Sequence, residues 1–453
     1  MYFWISYLYL ILGISLLLSI YVSGYKNKMG FSKYLYKNYA TSNVHNSQLP
    51  EITSDQDFLY WFSGFTDAEG NFLITLDREY IKFRYKISLH IDDINVLHII
   101  KSKLNIGRVT IENNRNRCSF IVEDYSNINV ICSIFKNYPL HTSKKLDFEN
   151  FYEAVCIKSK KNLSDADKER ILFLKNSMNS KREIFLYNTG KSQIIINPNW
   201  FVGFLEGEGT FGIKTGSALY FQVAQKNTSP ESLNAIVTFL TGLSNNTLQG
   251  SKIPPLNVVS TTNIKTNVVS LVVNSVDSLY YYILPFLNES KMYTRKTIDY
   301  KLWKIALLLK IHGYYYLPEG KKLFLDISDI LNKRYSTSIE TIGNIDERIA
   351  NIVERYQYIL KEDSPFDVKL NIPHAENVRK FSIANRSENP KTVYIYTEEG
   401  MIKGSPFTSF SSAHKALGLN PSSNTCNRYI DTNRLYKGKY IFSSKPIDRA
   451  SRD

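Results

Sequence analysis

The chain is poor in the residues that build metal cages and covalent staples. Of 453 residues, four are cysteine and seven are histidine. Cys118, Cys132, Cys156 and Cys426 form no CxxC pair, and the histidines show no ligand spacing. That pattern argues against a zinc site. It suits thiols that are reduced and buried, in a compartment without disulfides. Acid is also scarce. Against 56 Lys and Arg stand 42 Asp and Glu, a formal net charge of +14. Such a balance points to a polyanionic partner, either nucleic acid or an anionic membrane surface. The alternative is charge that serves solubility alone.

Charge is missing altogether from Met1 to Tyr25, where "YFWISYLYLILGISLLLSIYV" is long enough to span a bilayer. No basic residue precedes it, so it is a poor secretory signal. It lacks the Arg-rich amphipathic pattern of an imported presequence. Two readings stay open: an anchor that puts residues 2–22 in contact with a membrane, or a relic of an upstream reading frame. Residues 38–55 are polar and turn-rich and read as a linker, with the folded part starting near Asp55.

Disorder is excluded by a hydrophobic content of 43% and an aromatic content of 13%. The length allows two or three domains. Tyr, Phe, Ile, Asn and Lys recur, with 32 Tyr. Most have AT-rich codons, which fits an organelle genome.

The dominant feature is a repeat. "WFSGFTDAEGNFLI" begins at Trp61 and "WFVGFLEGEGTFGI" at Trp200, an offset of 139. Downstream, "HTSKKLDFENF" is echoed by "YTRKTIDYKLW", pairing Lys144 with Lys296 and Asp147 with Asp299 at an offset of 152. "ILFLKNSMNSKR" is echoed by "LFLDISDILNKR", pairing Asn179 with Asn332 at an offset of 153. Offsets this steady predict one duplicated domain. Within each copy, helical periodicity ending in Gly70 or Gly209 precedes two alternating strands, an amphipathic helix, a second hairpin and further helices. The fold class expected is α+β with antiparallel sheets. Lys82, Arg84, Lys86, Ser88 and His90 alternate along one strand, making one face basic. That face is either merely solvated or a nucleic-acid surface, and the charge of the chain favours the latter.

Gly64 and Gly203 sit inside helices, where Gly costs about 1 kcal/mol relative to Ala. Close approach of two helix backbones would explain them, with Ser63, Ala68, Val202 and Gly207 keeping the same face small. The acids Asp67/Glu69 and Glu206/Glu208 fall in the last helical turn, where the macrodipole disfavours them. If the helices pack about a pseudo-twofold axis, Glu69 and Glu208 meet and form an oxygen-rich site for Mg²⁺. Asp67 and Glu206 read as structural.

On these residues the chain resembles the two-motif, single-chain LAGLIDADG homing endonucleases. "FSGFTDAEG" and "FVGFLEGEG" align with the nine-letter motif without gaps, and the resemblance covers roughly residues 55–348. It implies two pseudo-symmetric αββαββα domains whose antiparallel, saddle-shaped sheets bind DNA in the major groove. It implies Mg²⁺ (or Mn²⁺) held by Glu69 and Glu208 with the carbonyls of Ala68 and Gly207. Lys144 and Lys296 stand at the family's basic position, with phosphate contact or a solvated helix face as the alternative. Gln225 stands at the water-ordering position, with His90 as its first-copy counterpart. Each strand would be cut across the minor groove, leaving short 3′ overhangs.

Residues 392–444 resemble a small modular DNA-binding repeat attached to such nucleases, with a helix-turn-helix pattern. There Ser422, Ser423, Asn424 and Arg428 would reach bases or phosphates. Further expected DNA contacts are Lys82, Arg84, Lys86, His90 and Lys226. The domain plan is 1–50 apolar segment and linker, 51–190 and 191–348 the two copies, 349–390 helical linker, and 391–445 the module. The function expected is site-specific cleavage of double-stranded DNA at a long asymmetric site, by a catalytic monomer in the mitochondrion. The competing function is an RNA maturase that binds its host intron RNA, because one fold hosts both. A third is a membrane-anchored protein with a degenerate nuclease body.

Overall fold

The computed structural model describes residues 56–77, 80–160, 162–182, 194–214, 217–228, 230–246, 254–335, 344–362 and 392–447. The apolar stretch at 2–22, the linker at 38–55 and most of 349–390 lie outside them. No helix among the described residues is long and apolar enough to cross a membrane.

The duplication seen in the sequence is a duplication of structure. The first copy runs α1 (Gln56–Glu69), β1 (Gly70–Asp77), β2 (Tyr80–His90), α2 (Ile94–Leu104), β3 (Arg108–Glu112), β4 (Arg117–Val122), α3 (Tyr125–Asn137), α4 (Lys144–Lys158) and α5 (Asp165–Asn176). The second runs α6 (Pro198–Glu208), β5 (Gly209–Ile213), β6 (Leu219–Lys226), α7 (Pro230–Gly242), β7 (Val259–Asn263) and β8 (Val268–Val273). Helical turns over Val276–Glu289 then lead to α8 (Lys296–Ile311) and α9 (Pro318–Ile330). Both sheets are antiparallel with matching order, β1-β2-β4-β3 and β5-β6-β8-β7. One face of each is apolar: Phe83, Tyr85 and Ile87 in β2, and Leu219, Phe221 and Val223 in β6, are buried. Helices cover that face and leave the other open.

The helices end where the periodicity placed their ends, α1 at Glu69 before Gly70 and α6 at Glu208 before Gly209. Gly209 has φ −85° and opens β5 directly. Glycine is needed there for space. A Cβ on Gly70 would lie 2.8 Å from the Thr66 carbonyl oxygen, and one on Gly209 2.5 Å from that of Leu205.

The start of the stretch expected as a helical linker, residues 349–359, is helical and packs on the second copy. It belongs to α10 (Ile345–Ile359), whose Ile352 and Ile359 are buried in the core of that copy. Beyond it, β9 (Tyr394–Thr397), β10 (Gly400–Met401), α11 (Phe410–Ala416), α12 (Thr425–Tyr429) and β11 (Ile441–Ser443) form a small unit with its own core of Val393, Ile395, Ala413, Cys426, Ile430 and Phe442. The second of its two helices spans only Thr425–Tyr429. Buried His414 joins the two helices, its Nε2 accepting from the Cys426 amide at 3.1 Å.

Candidate active site

The site is built on the seam between α1 and α6. Their backbones cross at the two glycines: a Cβ on Gly64 would lie 1.8 Å from the Trp200 carbonyl oxygen, and one on Gly203 2.0 Å from that of Trp61. Each helix then clasps the other. Trp61 Nε1 donates to Glu206 at 2.7 Å and Trp200 Nε1 to Asp67 at 3.0 Å. Those acids also hold the turn before α4 or α8. Asp67 accepts from the His141 amide at 2.7 Å and the Thr142 amide at 3.1 Å; Glu206 accepts from the Tyr293 amide at 3.0 Å and the Thr294 amide at 2.6 Å. Burial pushes both carboxyls up, and these donors pull them back. The first acid of each motif is therefore committed to structure.

The second acids have few internal partners and face each other. Glu69 Oε1 lies 3.1 Å from where a Cβ on Gly207 would stand, so the glycine makes room for the opposing carboxylate. Burial, then the charge of Glu69, pushes Glu208 up to about 7. Burial also raises Glu69, and Lys144 and Lys296 each pull both acids down. Two carboxylates and two ammonium groups thus form one electrostatic cluster, with one of each from either copy. Lys144 Nζ donates to the Ala68 carbonyl at 3.3 Å, and Lys296 Nζ donates to the Gly209 carbonyl. Burial lowers both lysines, Lys296 to about 8 with Arg334 next in effect; the surrounding acids oppose the fall at Lys144.

A repeated brace holds the lysine helices, and the sequence reading paired its residues without giving them a role. Asp147 accepts from the Asn179 amide at 3.0 Å and from Arg182 Nε at 2.9 Å. Asp299 accepts from the Asn332 amide at 2.9 Å and from Arg334. Each asparagine, left-handed at φ 55° or 63°, sends its Nδ2 to the first sheet strand, to Phe72 O or Phe211 O, both at 2.9 Å. The signal was present in the matched offsets; the bonding pattern was not.

Other candidates are placed differently. Lys82 and Arg84 are exposed and Lys86 half-buried on the open side of β2, as alternation required. His90 is engaged: its Nδ1 accepts from the Asp92 amide at 3.3 Å, and its ring packs 4.6 Å from that of Tyr335. It is not the counterpart of Gln225. Pairing of Gly70 with Ile87 and of Gly209 with Val223 makes Leu89 equivalent to Gln225, and His90 equivalent to Lys226. Gln225 accepts from the Lys226 amide at 2.9 Å. Arg428 turns toward α9, with Nη2 3.3 Å from Ser328 Oγ. Ser422 and Ser423 make local bonds, to Asn420 and Thr425, and Asn424 accepts from Asn427.

The donor set fits a hard cation. No group of three or more His, Cys, Asp or Glu gathers among the described residues, which rules out an all-side-chain cage there. Two opposed carboxylates with the carbonyls of Ala68 and Gly207 suit an ion that keeps several waters, as Mg²⁺ does. Burial first and the charge of Glu69 next raise Glu208, and a bound cation would oppose both.

A duplicated α+β fold, joined through glycine-bearing helices and presenting one acid and one lysine from each half, is the plan of a LAGLIDADG endonuclease. Residues 62–155 and 201–307 match the family described as LAGLIDADG endonuclease, and these two segments belong to it. It is 28% identical over 410 residues to the uncharacterized mitochondrial protein RF1 of Saccharomyces cerevisiae, covering 86% of this chain and 82% of that one. Probable intron-encoded endonuclease 3 of Neurospora crassa is 25% identical over 289 residues, 57% of this chain and 51% of its own length. The chain thus spans about half of that relative. Among solved structures, the LAGLIDADG homing endonuclease I-GzeII, in complex with its DNA target, is 26% identical with a TM-score of 0.52, covering 61% of this chain and 99% of that chain.

Proposed function

We propose that this protein is a mitochondrial homing endonuclease that cuts both strands of one long, asymmetric DNA site. The observation that carries the reading is that the Glu69 carboxylate stands against Gly207, next to Glu208 on the opposing helix, with Lys144 Nζ on the adjoining Ala68 carbonyl and Lys296 Nζ on that of Gly209. Binding DNA alone would not require two carboxylates half-buried against their own preference.

Glu69 and Glu208, with the carbonyls of Ala68 and Gly207, would hold Mg²⁺ or Mn²⁺. The ion supplies a water activated at neutral pH and a counter-charge for the leaving oxygen. Lys144 and Lys296 offset negative charge that builds on the phosphate, and their partial desolvation strengthens that effect. Gln225 orders water in the second half. Asp147, Asp299, Asn179 and Asn332 keep the lysine helices in register with the sheets. One half acts on each strand, and the resemblance to the family implies cuts across the minor groove that leave 3′ overhangs. Both halves lie in one chain, so a monomer suffices.

The test is digestion of organellar DNA from a strain lacking this reading frame, with the purified chain and Mg²⁺, and with ends mapped by sequencing. One dominant cut, absent with Glu208→Gln, is expected. No cut by a folded protein that binds host intron RNA tightly would refute the proposal and assign the scaffold to splicing.

A further inference from the structure

The two sheets share a topology and differ in the chemistry of their open faces. The four strands of the first copy contain Lys82, Arg84, Lys86, Arg108 and Arg117 together with the acids Asp77 and Glu112. The four strands of the second contain a single charged residue, Lys226. Strand alternation and register decide which side these occupy. Arg84 and Lys86 stand opposite the buried side of β2. Pairing of Arg117 with His90, and of Arg108 with Ile121, brings both arginines to the same open side.

The register also pairs the copies position by position. Gly70 faces Ile87 as Gly209 faces Val223, so Arg84 corresponds to Tyr220 and Lys86 to Gln222. Continuing across, Arg117 corresponds to Val268, Arg108 to Val259 and Glu112 to Asn263. Five charged positions of one face are uncharged at their partners in the other; His90 opposite Lys226 runs the other way. Thr210, Ala224, Thr261, Ser270 and Val272 also lie on the second face. The charges of the first face are organised. Glu123, one step beyond β4, pairs with Arg108 at 2.5 Å and with Arg84, and Lys86 lies 3.6 Å from Glu112.

These two sets match different base pairs. In the major groove guanine offers two acceptors that suit Arg or Lys, and cytosine offers an amino donor that suits Glu. Adenine suits the amide of Gln, and the thymine methyl packs on Ala, Val or Thr. Resting on the endonuclease reading above, we infer that the target is compositionally split. The half-site under β1–β4 is rich in G·C pairs, and the half-site under β5–β8 is rich in A·T pairs. Arg84, with Glu123, is a reader of the first half. Gln222 is a reader of the second.

The test is selection of duplexes from a pool with a randomised core, using the full chain in EDTA, followed by sequencing of the bound fraction. A two-part consensus is expected, G·C-rich on one side and A·T-rich on the other. Arg84→Gln should cut the preference for G at one position of the G·C-rich side by roughly 5- to 150-fold and leave the other side unchanged. Gln222→Lys should shift one position of the A·T-rich side toward G. An enriched site with two halves of equal composition would overturn the inference. So would an Arg84→Gln protein that binds every duplex more weakly with an unchanged consensus, since that is the behaviour of a phosphate contact. A pool with no enriched duplex would overturn the endonuclease reading along with it.

Discussion

Replacing Gly64 with alanine tests whether the helix seam sets the active-site geometry. The added Cβ would sit 1.8 Å from the Trp200 carbonyl oxygen, where real contacts do not fall below 3.0 Å, so the helices must part by about 1.2 Å. The obstacle is backbone, so no rotamer relieves it. Alanine gains about 1 kcal/mol of helix propensity over glycine. Against that, overpacking costs about 1–3 kcal/mol where side chains can adjust. A radial gap of about 1 Å also forfeits up to half the dispersion energy of the atoms lining it. The atoms lining this seam belong to Trp61, Phe65, Trp200 and Phe204, all fully buried. The net expectation is a loss of about 2 kcal/mol or more, which at about 2.1 cal/mol/K of unfolding entropy per residue moves Tm by about 2–3 °C for a body of this size. Activity should fall further than stability, because a misplacement of about 1 Å at a reacting centre costs on the order of 100-fold. Circular dichroism melting measures the first effect, and cleavage of the mapped site well below Tm measures the second. Gly203→Ala should behave alike, and the double variant should lose less than twice as much, since one widening admits both methyls. Wild-type Tm with wild-type cleavage in Gly64→Ala would refute the account of the seam.

Four further outcomes are expected. Glu69→Gln and Glu208→Gln should each lower cleavage by roughly 100-fold or more while DNA binding persists, as read by digestion and by gel shift. Lys296→Met should lower cleavage without abolishing binding, because its ammonium is buried against the Gly209 carbonyl rather than turned to solvent. In EDTA the stability should depend on pH through Glu208, whose carboxyl is raised from 4.5 to about 7. The folded state then binds more proton than the unfolded state between those values, so stability falls as pH rises through that window; Glu208→Gln removes the fall and is relatively more stable at pH 8 than at pH 4. Urea unfolding at the two pH values checks this, and an unchanged slope in the variant would contradict it. Trp61→Phe keeps most of the volume but leaves buried Glu206 one donor short, a cost of about 1–3 kcal/mol by denaturant unfolding.

Much of this protein could be read from its letters. The offsets of 139, 152 and 153 identify the duplication because a repeat is a property of the one-dimensional string. Helix-first order, the two hairpins per copy and the basic side of β2 follow from periods of 3.6 and 2, which are local. Gly64 and Gly203 were legible as a close helix crossing because interior glycine has a known cost that needs a reason. The first and second acids of each motif could be told apart only in expectation; their division of labour rests on Trp61 and Trp200, which reach across from the opposite helix.

What only tertiary structure decided were matters of partnership at long sequence separation. The brace from Asp147 and Asp299 through Asn179 and Asn332 to β1 and β5 spans 107 residues in one copy and 121 in the other, beyond any local pattern. His90 looked like one more reader on a basic strand, and the neighbour that engages it, Tyr335, lies in the other copy. Gln225 looked like its counterpart, and only strand register, which a hairpin of different length shifts, separates the two. Gly70 and Gly209 were legible as helix ends, and the reason each must be glycine, a carbonyl one turn back, was not. The sequence by itself determined which elements exist and that they come twice. The fold decided which side chains meet, because contact depends on distances that the order of residues along the chain does not contain.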